Sequence, residues 1–321
     1  MQGRSSLFSE RVSGSCFVPM TYPRAHLVDP DCDGFYHCTT RCVRRGWLCG
    51  IDPESGVSYE HRKEWVESRI VMLCEVFSVE LCSYAVMSNH YHVVVEIKPS
   101  EAKALSDEEV ARRWLRLGSK KRQDNAECEI ERVLDNADRI DELRERLGSL
   151  SWFMKYMNEP IARQANREDG CKGRFWEGRF KSIALLDEPA VVGCMVYVDL
   201  NPLRAGLTDR PEEAPYTSIK RRVDKGEADA QPLVALETLG LTLPGYLELL
   251  SWTAAVHNGG VATPQGQAQQ ALRRLGHEPT QWLATVKAHR FKYRAYGALD
   301  KLKDYVQSLG QQWIKGSAAQ I

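Results

Sequence analysis

The sequence has no apolar run that approaches the ~20 residues a membrane-spanning helix needs. Stretches such as Ala85-Val86-Met87 and Val93-Val94-Val95 are short, and Met1–Glu10 is polar where a secretory leader would be apolar. Neither a membrane span nor a signal peptide is expected. Net charge is also missing, since Lys and Arg number 43 against 43 Asp and Glu. That balance argues against a protein that coats nucleic acid by bulk charge. The 10 cysteines include no Cys-x-x-Cys pair, so zinc knuckles and thioredoxin-like redox motifs are disfavoured. Cys74, Cys82 and Cys194 sit in apolar periodic stretches and suit small buried side chains. A reduced, cytoplasmic protein is the expectation. No internal repeat is visible.

What is present is a globular composition: 43% hydrophobic and 27% charged residues, which excludes disordered, collagen-like and coiled-coil chains. The 321 residues suit about two domains of ~150 residues. Residues 1–30 read as irregular. Phe35–Val43 is rich in strand formers, apolar positions recur at helical spacing between Tyr59 and Phe77, and Val79–Met87 and Tyr91–Ile97 read as two strands joined at Ser88-Asn89. Segment 98–148 carries 12 basic and 13 acidic residues and is expected to form a charged insertion of two solvated helices, Ser106–Leu117 and Glu127–Leu147.

A helix over Ser151–Asn166 and, within Gly173–Leu185, a last strand preceded by a turn complete the series. Asp187 is a suitable N-cap for a further helix, which Pro202 should stop near Leu200. The order strand, helix, strand, strand, helix, strand predicts an α+β fold, a ferredoxin-like antiparallel sheet with helices on one face. A polar stretch at Asp224–Pro232 divides this main domain, 31–223, from a small helical C-terminal domain, 224–321.

His90-Tyr91-His92 is the sharpest local feature. Residues i and i+2 of a strand share a face, so both imidazoles project together, and two histidines on a rigid strand make a good divalent-metal site. Alone the pattern is weak; one histidine bonded within the fold and one exposed is the plainer alternative. Tyr197 and Asn201, at i and i+4 on the last helix, can address one point. Equally, Tyr197 can belong to the core stripe of Val192, Met195 and Val196.

Longer blocks around these residues resemble one family. Met87-Ser88-Asn89-His90-Tyr91-His92 is similar to the Met-Pro-Asn-His-x-His signature of the REP-associated tyrosine transposases, members of the HUH group of single-tyrosine, single-stranded-DNA transposases. Gly173–Ser182 resembles that family's Gly-x-x-Trp-Gln-Gly-Arg-Phe-Lys-Ser block, and Tyr197–Leu207 its Tyr-Ile-x-x-Asn-Pro-x-Arg-Ala-Gly-Leu block. Tyr36–Arg41 matches the usual first strand. The four blocks stand in the family's order between Tyr36 and Arg222. Ser88 replaces the usual Pro, and Glu177 the usual Gln.

The resemblance implies an HUH endonuclease fold, Tyr197 as nucleophile, His90 and His92 as metal ligands, and Asn201 as the third ligand. It implies Mg²⁺ or Mn²⁺ and no nucleotide cofactor, since attack by tyrosine would conserve the bond as a 5′-phosphotyrosine. The partner implied is single-stranded, hairpin-forming DNA, with a homodimer compatible and a bacterial, nucleoid-associated location. A hairpin-binding regulator with a vestigial site, and a metallohydrolase using metal-bound water, are the rival expectations.

Substrate contacts are expected from Arg163, Arg167, Arg174, Arg179 and Lys181 with Trp176, because basic groups interleaved with aromatics combine phosphate neutralisation and base stacking. The competing expectation makes Phe175 and Phe180 core residues, with the basic groups merely flanking a strand. Arg204 reads as structural. The C-terminal stretch Ala271–Lys303 holds eight basic residues against Glu278 and Asp300, either a second DNA-gripping face or a solvated one. The global neutrality therefore conceals locally basic segments.

Overall fold

The computed structural model describes residues 27–43, 48–52, 55–257, 259–260, 263–289, 293–312 and 314–317. Segment 1–30 lies almost wholly outside them, as do Arg290 and Lys292 of the basic C-terminal stretch. In chain order the elements are β1 (Gly34–Arg41), α1 (Arg62–Val76), β2 (Val79–Val86), β3 (His90–Ile97), α2 (Pro99–Ala104), α3 (Asp107–Leu115), α4 (Lys120–Gln123), α5 (Ala126–Leu134), α6 (Ala137–Leu147) and α7 (Leu150–Glu168). They continue as β4 (Lys181–Leu185), α8 (Glu188–Asp199), α9 (Asn201–Arg204), α10 (Ser218–Lys225), α11 (Leu243–His257), α12 (Gly266–Arg274), α13 (Pro279–Ala288), β5 (Ala295–Tyr296), α14 (Leu299–Ser308) and β6 (Gly316–Ser317).

The strands form one mixed sheet in the order β2-β3-β1-β4-β5-β6. β1 lies antiparallel between β3 and β4, and β2 pairs antiparallel with β3. β5 and β6 add in parallel at the β4 edge. Strand alternation then separates two cores. Tyr36, Cys38, Tyr91, Val93 and Val95 point to one face, against Val66 and Ile70 of α1 and Phe153 and Met157 of α7. Val94, Ile183 and Leu185 point to the other, against Val191, Met195 and Val198 of α8.

Helices on one face was the expectation, and the structure corrects it: both faces are covered. The reason lies in α8, whose residues from Ala190 to Val196 are all buried. A helix that is apolar all round needs cover on more than one side. The sheet supplies one side and α13 another.

Two further differences have local causes. The helix expected over Glu127–Leu147 is two helices, because Asn136 caps α6 by accepting the Arg139 N–H at 3.0 Å and stops continuation from α5. The charged insertion is also not simply solvated: Val110, Ile140, Leu143 and Leu147 are buried in the α1–α7 core. The last strand begins at Lys181, after the expected turn. Before it, Gly173 adopts φ 109°, a conformation suited to glycine, and the following loop joins the end of β1 through Val43 N–H to Phe175 O (2.9 Å) and Glu177 N–H to Arg41 O (2.9 Å).

Segment 224–321 holds four α-helices among its described residues and also lends β5 and β6 to the sheet. Tyr246, Leu249, Trp282 and Val286 share one core with α8. Both ends of α8 are tied to this segment. Asp187 caps the N-terminus by accepting the Ala190 N–H (2.9 Å), and its other oxygen accepts the Ala298 N–H (2.6 Å). At the far end buried Asp199 accepts from the Ser218 hydroxyl (2.6 Å) and the Tyr246 hydroxyl (2.7 Å). Among the described residues no helix is long and apolar enough to cross a membrane.

Candidate active site

The β2–β3 hairpin closes over Ser88 and Asn89 with the Met87 N–H donating to His90 O at 2.9 Å. Its turn is pinned from outside, since Asn89 O accepts from Cys42 N–H (3.0 Å) and Ser88 O from Cys49 N–H (2.8 Å). Ser88 thus sits in a turn held by two backbone bonds without the rigidity a proline would bring. From this hairpin His90 and His92 leave on the α8 face of the sheet, together with Val94, while Tyr91 points to the opposite core.

The two imidazoles lie 4.9 Å apart, centroid to centroid, at 85°. His90 Nδ1–H donates to Asn89 Oδ1 at 2.6 Å. His92, only 3% exposed, has Nδ1 2.9 Å from His37 Nε2. Burial, and then the Arg41 charge, push His90 down to about 4. Burial also holds His92 and His37 well below the usual imidazole range, with neighbouring histidines adding to the effect. All three are neutral at physiological pH, the state in which an imidazole can bind a metal.

Helix α8 brings Tyr197 to His92 and His37. Its ring centroid is 6.0 Å from His92 and 5.9 Å from His37, both edge-on, and the Arg204 guanidinium lies 5.0 Å over it. Tyr197 is therefore half in the core and half in the site: Val192, Met195 and Val196 are buried, whereas the tyrosine is only partly so. Asn201 follows one turn on, where α8 gives way to α9. Its amide Nδ2 donates to Tyr197 O (2.9 Å) and more weakly to Val198 O (3.5 Å).

The donor set fits a hard or borderline divalent cation. Nδ1 of both His90 and His92 is engaged, so Nε2 is the nitrogen through which either could ligate, and the Asn201 bonds use its nitrogen, so that Oδ1 is the atom it could offer. No group of three or more His, Cys, Asp or Glu placed to hold a metal occurs among the described residues, so a carboxamide would have to complete the set.

The expected DNA-contact residues divide. Lys181 opposes Thr39, which opposes His92, so Lys181 stands on the His92 face two strands away, about 10 Å. Arg174 and Arg179 are exposed on the loop joined to the Arg41 end of β1, the end at which His90 lies. Arg163 and Arg167 are exposed on α7, over the opposite face; Arg163 pairs with Glu159. Trp176 is a correction. It is 8% exposed, its indole N–H donates to Asn158 O at 2.9 Å, and its ring meets Tyr91 and Phe175 in the opposite core. It offers no stacking surface to a base. In the C-terminal stretch, Arg274 is engaged by Glu188 and Leu239 O, whereas Arg273 and Lys287 are exposed.

Three neighbours of the site were not among the expected ligands or nucleophile. His37 lies in the first-strand block Tyr36–Arg41, but only the β1–β3 pairing shows that it meets His92. Arg204, expected to be structural, covers the tyrosine ring. His289, at the end of α13, is fully buried 6.3 Å from Tyr197 and 4.4 Å from Tyr296, centroid to centroid. Gly193 admits that approach, since a Cβ there would sit 3.0 Å from Thr285 and 3.4 Å from His289 Nε2.

No protein-family model and no curated protein matches the sequence. Among solved structures, the chain is similar to a REP-associated tyrosine transposase bound to a REP hairpin, with 14% identity and a TM-score of 0.38 over 64% of this chain and 87% of that one. The likeness is distant.

Proposed function

We propose that this chain is a tyrosine transposase of the HUH kind, which nicks and rejoins single-stranded DNA beside a hairpin. The observation that carries the proposal is the convergence of Tyr197, on α8, with His92, on β3, from positions 105 residues apart in the sequence. The antiparallel order β2-β3-β1-β4 with α1 and α7 on one face is in keeping with a ferredoxin-like core, to which α8 adds the second layer.

In this proposal Tyr197 Oη attacks the scissile phosphorus. The bond to the 3′ oxygen breaks, that oxygen leaves as a free 3′-hydroxyl after taking a proton, and the DNA 5′ end remains on the tyrosine. Joining is the reverse, with an incoming 3′-hydroxyl displacing the tyrosine. The phenol must lose its proton to attack, and the Arg204 guanidinium lies over its ring. A Mg²⁺ or Mn²⁺ ion held by His90 Nε2, His92 Nε2 and Asn201 Oδ1 would supply the positive charge that polarises a phosphate oxygen. Lys181, with Arg174 and Arg179, meets the phosphate backbone at the same end of the sheet. Arg163 and Arg167 serve the strand farther out, if it turns around that end.

Incubation with a single-stranded hairpin oligonucleotide and Mg²⁺ or Mn²⁺ should give a covalent protein–DNA adduct on a denaturing gel. Hairpin binding without any adduct would support the regulator instead. Cleavage that survives Tyr197→Phe would point to a metal-bound water.

A further inference from the structure

We infer that His37 is the positioning residue that sets the tautomer and ring orientation of His92. The inference rests on the proposed role of His92 as a metal ligand. His37 is central in β1 and paired with Val94, so it stands one diagonal step from His92 on the same face. It is fully buried, its Nε2 lies 2.9 Å from His92 Nδ1, and its ring is 5.9 Å from that of Tyr197.

Two neutral imidazoles joined in this way have one proton between the facing nitrogens. If His37 Nε2 carries it, His92 must bear its own proton on Nε2 and cannot ligate through that atom. If His92 Nδ1 carries it, His37 Nε2 accepts and His92 Nε2 presents a lone pair. Only the second arrangement is competent, and it requires His37 to hold its proton on Nδ1. Metal-binding histidines commonly donate their second nitrogen to a carboxylate or carbonyl, which can only accept. An imidazole in that place can adopt either role, so the local tautomer of His37 becomes part of the site. His90 uses the ordinary device, donating to the Asn89 carboxamide oxygen.

The test uses the full chain without DNA. Mn²⁺ binding is followed by calorimetry or by the loss of the free-ion electron paramagnetic resonance signal. His37→Leu should weaken it by about 10- to 100-fold, the usual effect of losing such a partner. His37→Gln, whose side-chain oxygen can accept from His92, should restore most of the affinity. Equal Mn²⁺ affinity in wild type and His37→Leu overturns the inference. A second readout needs no metal: ¹⁵N-histidine NMR of the wild-type chain should find His92 protonated on Nδ1, and protonation on Nε2 overturns the inference even if His37→Leu fails to fold. If wild type binds no Mn²⁺ but His92 is the Nδ1–H tautomer, the metal proposal fails while the His37–His92 arrangement stands.

Discussion

The two faces of the sheet are built from the same strands and differ in kind. The face toward α1 and α7 is closed by apolar and aromatic side chains: Tyr36, Cys38, Val93 and Val95 meet Ile70, Phe153 and Met157, and Phe153 packs edge-on against Phe77 at 5.8 Å. The face toward α8 is apolar only in part. At one end it buries His37 and His92, brings Tyr197 against them with Arg204 over its ring, and encloses Asp199. A period-two strand lets one segment serve both purposes, since Tyr91 can anchor the first face while its neighbours His90 and His92 furnish the second. Burying polar groups costs stability unless they are paired.

The sharpest separation should come from Tyr197→Phe. Adduct formation on hairpin DNA should fall on the order of 10⁴-fold or more, as for loss of a covalent nucleophile, while the urea midpoint of unfolding barely moves. A large loss of stability would make Tyr197 a core residue of the second face. The converse experiment is Phe153→Ala on the first face. It should cost about 3–5 kcal/mol of unfolding free energy, with the adduct rate per folded molecule unchanged.

Asp199 lies between these extremes, because it is polar yet structural. Burial pushes its carboxyl up to about 6 despite the Ser218 and Tyr246 hydroxyls that donate to it. Asp199→Ala should cost about 2–3 kcal/mol, since it leaves two buried hydroxyls without their acceptor. Asp199→Asn should recover part of the loss through its remaining oxygen. An unfolding curve unchanged in Asp199→Ala would mean that α8 does not depend on its link to α11.

What could be read from the sequence follows from the range of each signal. Alternation and strand formers located β1, β2 and β3, and Asp187 and Pro202 bracketed α8, because those signals act within a few residues. The facing of His90 and His92 was legible for the same reason. The break at Asn136 was hidden, since asparagine is both a tolerable helix residue and a good cap. β5 and β6 are two residues each, too short to show any period. Phe175 carried an ambiguous signal that three-dimensional packing settles in favour of the core, and the same packing buries Trp176, which was expected to stack on bases. The His37–His92 contact spans 55 positions, and His289 joins the site from a helix in the C-terminal segment; no local pattern marks either.

The smallest effect gives the most direct comparison of the two faces. The His289 imidazole is fully buried, and among the described residues neither ring nitrogen has a hydrogen-bond partner. Burial, followed by the nearby Arg204 charge, pushes its pKa down to about 3, so the ring is neutral. A buried polar group left unpaired costs about 1–3 kcal/mol, whereas an apolar ring of similar shape carries no such cost. His289→Phe keeps the ring against Tyr296 and Tyr197 and should stabilise the chain by about 1 kcal/mol, raising the urea midpoint without changing the slope. No substitution of Phe153 on the first face should do the same, because that core already holds an apolar ring at native density. A destabilised His289→Phe would mean that the imidazole nitrogens are engaged in the folded chain. The polar side of the sheet would then be as fully satisfied as the apolar side, and its histidines would not be held at the expense of stability.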